Sequence, residues 1–307
     1  MPGVSTFTHA IALDLGGTDL KAARVSAAGE VLEFASGSSR AGESADALLD
    51  TLVGTARRWR AGAVALGIGV PGVVHPETGA LVDCTPHLAL PADFPVRETL
   101  SRALALPVAA DNDANCAALA ECSAGAARGA RVALVVTVGT GIGCGIVVDG
   151  RVLRGAWGGA GEIAHMGQGS AGPACACGVE GCAEPVSGGE GLTLRARAAG
   201  LEAAGAREVF AAAAAGHPGA SRLLAEMTDA LGRQIACAVQ TVNPEVVVIG
   251  GGIAEAGEAL LAPVRAAIER YAQPSHWRAL RLVPAALGNR AGVVGAGLMA
   301  WSEAPRA

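Results

Sequence analysis

The 307-residue sequence predicts an α/β protein built as two related domains with a ligand cleft between them, and three observations lead there. Short apolar strands alternate along the chain with stretches of helical periodicity, the pattern of sheets covered by helices. A strand, Gly-Thr turn, strand, glycine turn, strand phrase occurs at IALDLGGTDLKAARVSAAGEVL (11–32) and returns at ALVVTVGTGIGCGIVVDGRVL (133–153), which reads as a duplication. Each Gly-Thr turn leads into another strand, where a Rossmann fingerprint would require a helix. Either hairpin alone is simply a good turn sequence, so the duplication rests on the matched pair.

In chain order, residues 10–15 and 20–25 read as strands around Gly16-Gly17-Thr18-Asp19, and EVLEFA after Ala28-Gly29 as a third. Helical periodicity covers 45–60, 96–104, 114–124, 189–199, 220–242, 258–271 and 291–301. Between these, 64–70, 108–110, 132–138, 246–249 and 280–283 are apolar strands. The alanine runs at 196–215 are helix-compatible and supply no linker. The expected division is a smaller N-terminal α/β domain, 1–115, completed by the C-terminal helix 291–307, and a larger domain, 116–290, carrying a cysteine-rich loop.

Composition narrows the function. Hydrophobic residues make up 51% and charged residues 17%, which suits a compact fold with its own core. Apolar runs stop well short of the roughly 20 residues that cross a bilayer, and the N-terminus lacks the pattern of a secretory signal. The expectation is a cytoplasmic protein with no membrane partner. A net charge of −5 argues against nucleic acid, which asks for a basic face. In a reducing compartment the eight cysteines are not a disulfide framework. Cys84, Cys116, Cys122, Cys144 and Cys237, in apolar or small-residue surroundings, are expected to be packing thiols.

The candidate chemistry gathers in four places. Asp14-Leu-Gly-Gly-Thr18 and Thr137-Val-Gly-Thr-Gly141 are glycine turns whose N–H groups can converge on phosphate, each adding a hydroxyl. Asp14 repels bare phosphate but suits Mg²⁺ and its water shell. Ile249-Gly250-Gly251-Gly252-Ile253 joins an apolar strand to a helix, and is either a plain connection or a close approach to a nucleotide. Asp111-Asn112-Asp113-Ala114-Asn115 opens a helix. One residue suffices to cap, and the surplus points to a site whose carboxylate takes a proton from an attacking hydroxyl.

The fourth place is HMGQGSAGPACACGVEGCAEP (165–185), with His165 ten residues ahead of Cys175, Cys177 and Cys182. Three thiolates and an imidazole suit tetrahedral zinc, and four protein ligands would make it structural. A redox thiol pair and ordinary buried cysteines are the other readings. Glu162 stands three residues before His165, on the same face if GEIAH is helical, and Glu184 follows Cys182 by two. Each glutamate alone would be a solvated charge; beside a metal loop each becomes a candidate substrate ligand, with the second nitrogen of His165 fixed in direction.

These motifs together resemble the ROK family of sugar kinases and repressors, within the hexokinase, actin and heat-shock ATPase superfamily. The resemblance spans DLGGT (14–18), GVPG (69–72), DNDAN (111–115), TVGTGIGCGIV (137–147), GEIAHM (161–166), CACGVEGCAE (175–184), NPEVVVIGGGI (243–253) and AGVVGAGLMA (291–300). It implies a duplicated actin-like, ribonuclease-H-like ATPase fold and ATP-dependent phosphorylation of a hexose hydroxyl, commonly on carbon six, with glucose the leading acceptor.

On the same resemblance Asp113 is the general base, Gly72, His87, Asn112, Glu162, His165 and Glu184 hold the sugar with it, and His165, Cys175, Cys177 and Cys182 bind Zn²⁺. Asp14, Gly16, Gly17, Thr18, Thr137, Gly139, Thr140, Gly141, Gly250, Gly251 and Gly252 receive ATP and Mg²⁺. Closure of the cleft would exclude water, and a homodimer or homotetramer is expected. Asp19 stands where many relatives carry lysine, with Lys21 a possible substitute, and Pro86-His87 stands where many glucose-phosphorylating relatives have Pro-Asn. These departures leave N-acetylmannosamine, another amino sugar or a cyclitol as alternative acceptors. A sugar- or nucleotide-binding protein without turnover and a repressor lacking its DNA-binding segment are the other classes; the short stretch before Asp14 argues against the repressor.

Overall fold

The computed structural model describes residues 8–83, 85, 88–167 and 173–304. Its first elements are β1 (His9–Leu15), β2 (Asp19–Val25), β3 (Val31–Ser38), α1 (Ala45–Arg57), β4 (Ala63–Val70), α2 (Val96–Leu104), β5 (Val108–Asn112) and α3 (Asp113–Ala124). There follow β6 (Val132–Val138), β7 (Ile142–Val148), β8 (Arg151–Val152), α4 (Glu184–Ser187), α5 (Gly189–Ala198), α6 (Ala206–Ala214) and α7 (Pro218–Val242). The chain ends with β9 (Val246–Gly250), α8 (Glu258–Tyr271), α9 (Pro274–Trp277), β10 (Arg281–Pro284) and α10 (Ala291–Ser302).

The duplication is visible in the strand order. One sheet runs β3-β2-β1-β4-β5 and the other β8-β7-β6-β9-β10. In both, an antiparallel hairpin (β1/β2, β6/β7) stands beside strands added in parallel (β4 then β5, β9 then β10). Parallel strands need long crossovers, and α1 and α2 supply them in one sheet as α7 and α8 do in the other. β4 is buried along its whole length, as a strand covered on both faces must be; β3, at a sheet edge, is largely exposed.

Two compact units result: 1–124 with 151–160 and 290–307, and 125–150 with 161–289. The division expected at 115/116 would cut α3, which instead stays whole with the first unit because it packs along α10. The first unit's core joins Ile11, Leu13, Leu48, Leu66, Ile68 and Leu100, with a second cluster of Ala12, Ala23, Cys116, Val293 and Ala296 under α10. The second unit's core joins Leu134, Val136, Leu192, Met227, Leu231 and Ile249.

Local signals explain most boundaries. Ser44 caps α1, its hydroxyl accepting from the Ala47 N–H at 3.1 Å, and α1 stops at Arg57, short of the expected 60. His217 caps α7 with Pro218 in the first turn, and Asn243 ends it in a left-handed conformation. The alanine-rich stretch yields α6 as a separate helix. Among the described residues no helix is long and apolar enough to cross a membrane.

Candidate active site

In the first unit the ends of three parallel strands line up. Asp14 on β1 is opposite Gly69 on β4, and Gly69 opposite Asp111 on β5, so residues after these strands emerge at one edge, where open α/β sheets place their ligands. The turn after β1 is closed by the Gly16 N–H donating to the Asp19 carbonyl at 2.7 Å. Ser39 braces it, its N–H donating to the Thr18 carbonyl and its hydroxyl to that of Gly17. Asp14 is nearly buried and 3.2 Å from the Lys21 ammonium. Burial pushes its carboxyl above the usual range against the opposing pull of Lys21. Lys21 is thus engaged within the hairpin by Asp14.

Helix α3 begins on the DNDAN run. Asn112 caps: its Oδ1 accepts from the N–H groups of Ala114 (2.9 Å) and Asn115 (3.2 Å). Its Nδ2 donates to the Gly72 carbonyl at 3.1 Å, which joins two of the expected sugar ligands. Asp113 is half-buried in the first turn and accepts from the Ala114 N–H. Asp111 is buried and accepts from Asn115 Nδ2 at 2.9 Å and from the Arg154 guanidinium at 2.7 Å. The Cys116 thiol, fully buried, is pushed well up by burial and then by the carboxylates of Asp111, Asp14 and Asp113. Arg154 was not marked by the sequence: a lone arginine has no spacing signature. His87 lies outside the described residues.

In the second unit the turn after β6 is tied down by backbone. Gly139 and Thr140 carbonyls accept from the N–H groups of Gly189 and Glu190, the start of α5, at 3.0 Å each. Thr137 pairs with Gly250 across β6 and β9, and Gly251, at φ +83°, backs onto Val138 so closely that a Cβ would sit 2.4 Å from its carbonyl oxygen. The structure therefore brings 137–141 and 250–252 to one edge of this sheet. The helix expected at 258–271 forms with those bounds, and a 3-10 turn, Gly252–Ala256, lies between it and the glycines.

The cysteine-rich loop stands beside that turn. Donor atoms of His165, Cys175, Cys177 and Cys182 all lie within 4.8 Å of one another. His165 Nδ1 is 3.5 Å from the Cys182 sulfur and 3.9 Å from that of Cys175. Tetrahedral zinc with ordinary bond lengths would separate such a nitrogen and sulfur by about 3.6 Å. The residues fit a structural zinc ion. GEIAH forms a 3-10 turn, Ile163–His165, rather than an α-helix; its tighter repeat eclipses i and i+3, and Glu162 Oε2 comes 3.8 Å from His165 Nε2.

Glu184 links metal loop and turn. One oxygen is 3.9 Å from His165 Nδ1 and the other accepts from the Ile142 N–H at 3.3 Å. A side chain at 141 would put its Cβ 2.6 Å from that oxygen, so the last glycine of the turn is what admits Glu184. Burial pushes the Glu162 carboxyl up, opposed by His165 and reinforced by Glu184. Cys144 is a packing thiol, pushed up to about 12 by burial; Cys116 is likewise buried, Cys122 and Cys237 are half-buried, and Cys84 lies outside the described residues.

The doubled sheet, with glycine turns at the strand ends and an acid at the head of α3, defines the actin-like ATPase class of α/β proteins. Within that class the chain belongs to the ROK family, whose profile matches residues 10–303. It is 36% identical to a glucokinase of Halalkalibacterium halodurans, covering 94% of this chain and 93% of that one. It is also 36% identical to an N-acetylmannosamine kinase of Citrobacter koseri, covering 95% and 99%. The crystal structure of a ROK hexokinase from Thermus thermophilus superposes with a TM-score of 0.83 at 37% identity, covering 96% and 99%.

Proposed function

We propose that the protein is an ATP-dependent carbohydrate kinase that transfers the γ-phosphoryl group of ATP to the 6-hydroxyl of a hexose, with glucose as the acceptor. The observation that carries this reading is the half-buried carboxylate of Asp113 on the first turn of α3, beside an Asn112 whose amide is already fixed at both ends. A carboxylate so placed accepts the hydroxyl proton as the sugar oxygen bonds to phosphorus and the bond to ADP breaks. Mg²⁺ would neutralise charge on the phosphates of ATP; Asp14 is the residue that would hold it, directly or through water, and 16–18, 137–141 and 250–252 are the turns whose backbone N–H groups would receive the nucleotide.

Asn112, Glu162, His165 and Glu184, with the Gly72 segment and His87, hold the ring hydroxyls. The carboxylates of Glu162 and Glu184 match sugar hydroxyl donors. Zinc held by His165, Cys175, Cys177 and Cys182 contributes folding free energy and fixes the imidazole plane. The same reading places the enzyme in the cytoplasm, where its thiols stay reduced, as a homodimer or homotetramer measurable by light scattering.

The test is coupled ADP release with Mg·ATP across hexoses, N-acetylhexosamines, amino sugars and cyclitols, with Asp113→Asn as the blank. Loss of the base should lower kcat at least about 100-fold with sugar binding retained; turnover near that of the unaltered enzyme would overturn the assignment. N-Acetylmannosamine is the second acceptor to try, because the two kinases above match this chain equally at 36% identity.

A further inference from the structure

One buried amide in the second unit joins the two arms of the cysteine-rich loop. Helix α7 turns an apolar stripe inward, with Met227, Leu231, Ile235 and Val239 all buried. Periodicity would place another apolar residue at 234, yet a glutamine stands there with no exposed surface. Burying an amide costs free energy unless its hydrogen bonds are made. Gln234 Nε2 lies 3.3 Å from the Ala164 carbonyl and 3.2 Å from Ser187 Oγ. The Ser187 hydroxyl has one proton, and its shorter contact is the Ala183 carbonyl at 2.9 Å, against 3.4 Å to Gln234 Oε1. The serine oxygen is then an acceptor, and both Nε2 protons are used.

The two acceptors belong to different arms. Ala164 sits between Glu162 and His165 in the 3-10 turn, and its carbonyl also meets the Cys182 sulfur at 3.5 Å. Ser187 ends the short helix that Glu184 begins, and is itself fully buried. We infer that Gln234 is a positioning residue: it sets the separation of the Glu162–His165 arm from the Cys182–Glu184 arm, through protein contacts that need no metal, and so sets affinity for the sugar. The second half of this statement rests on the sugar-kinase reading above; the first does not.

Gln234→Leu keeps the side chain's bulk on α7 and removes both donors; Ser187→Ala removes one acceptor and leaves α7 untouched. Hydrogen exchange on the protein as purified, and again after chelator treatment, reports the arms, and ADP release at varied sugar and varied ATP reports function. Gln234→Leu should speed exchange in 162–167 and 182–188 about tenfold or more, the scale of a lost buried hydrogen bond, with 132–138 unchanged. KM for sugar should rise about tenfold while KM for ATP and kcat stay within about twofold, since the lost contacts order the sugar ligands only.

Ser187→Ala should move the same observables in the same direction by less, and it carries the test if Gln234→Leu does not fold. Unchanged exchange in both arms, or exchange that rises equally throughout the second unit, would overturn the assignment. Faster exchange confined to the arms in a protein that phosphorylates no sugar would leave the tether standing and remove the kinase reading.

Discussion

The approach of α10 to Asp14 offers a sharp test of how the first unit packs around a buried carboxylate. A Cβ placed on Gly292, in the first turn of α10, would lie 2.4 Å from Asp14 Cγ, 2.4 Å from Oδ2 and 2.7 Å from Oδ1. These are its three nearest neighbours, so the clash is with this carboxylate. Ordinary carbon–oxygen contact is about 1 Å longer, and overpacking of this kind costs about 1–3 kcal/mol. Asp14 cannot swing aside cheaply, being nearly buried and paired with Lys21 at 3.2 Å. Gly292→Ala should therefore lower stability by about 2 kcal/mol, or about 4–8 °C in Tm for a cooperative unit of this size. Asp14→Ala removes the obstructing atoms, and in that background the same substitution should cost little, giving a coupling of about 2 kcal/mol in the double-mutant cycle. The assay is thermal unfolding of the four proteins without nucleotide. A Gly292→Ala penalty as large without Asp14 as with it would refute the reasoning.

Two further outcomes follow from the same geometry. Because burial raises the folded-state pKa of Asp14 above its ordinary 3.8, the folded protein holds that proton longer than the unfolded chain, and stability is lost as pH rises from the unfolded value through the raised one. Asp14→Asn should then stabilise the nucleotide-free protein at neutral pH relative to the unaltered chain, with the difference vanishing below pH 3.8; equal Tm at both ends would contradict the burial argument. Cys177→Ser should weaken zinc more than about 100-fold, beyond the loss typical of an outer-shell partner, read by metal content after dialysis; full retention of one zinc per chain would remove Cys177 from the ligand set, and no zinc in the unaltered protein would remove the metal assignment.

The elements legible in the sequence were those with a strong period or a strong breaker. The Gly-Thr hairpins, the buried β4 run and the long stripe of α7 each repeat a signal over several residues, and tertiary packing agrees with it. The boundary of the first unit was hidden because α3 has apolar and small residues on more than one face, with Ala114, Cys116, Ala118 and Ala120 all buried, so its sequence does not name the partner it packs against. GEIAH carries the right three-residue spacing but forms a 3-10 turn, a difference the residues themselves do not encode.

Arg154 and Gln234 were invisible for a common reason. Each is a single polar residue whose role depends on a partner far along the chain: Asp111 lies 43 residues away and Ala164 lies 70 away. Motifs record groups that are close in sequence because one turn must present them together. The supports that hold those turns answer only to burial: Asp111 and Gln234 are polar groups nearly or wholly removed from water, and each is tolerable only because the fold delivers its partner. That argument turns a buried polar residue into a prediction about the loop it touches, which is why hydrogen exchange at 162–167 and 182–188, rather than global stability, is the measurement that separates a tether from a passive core residue.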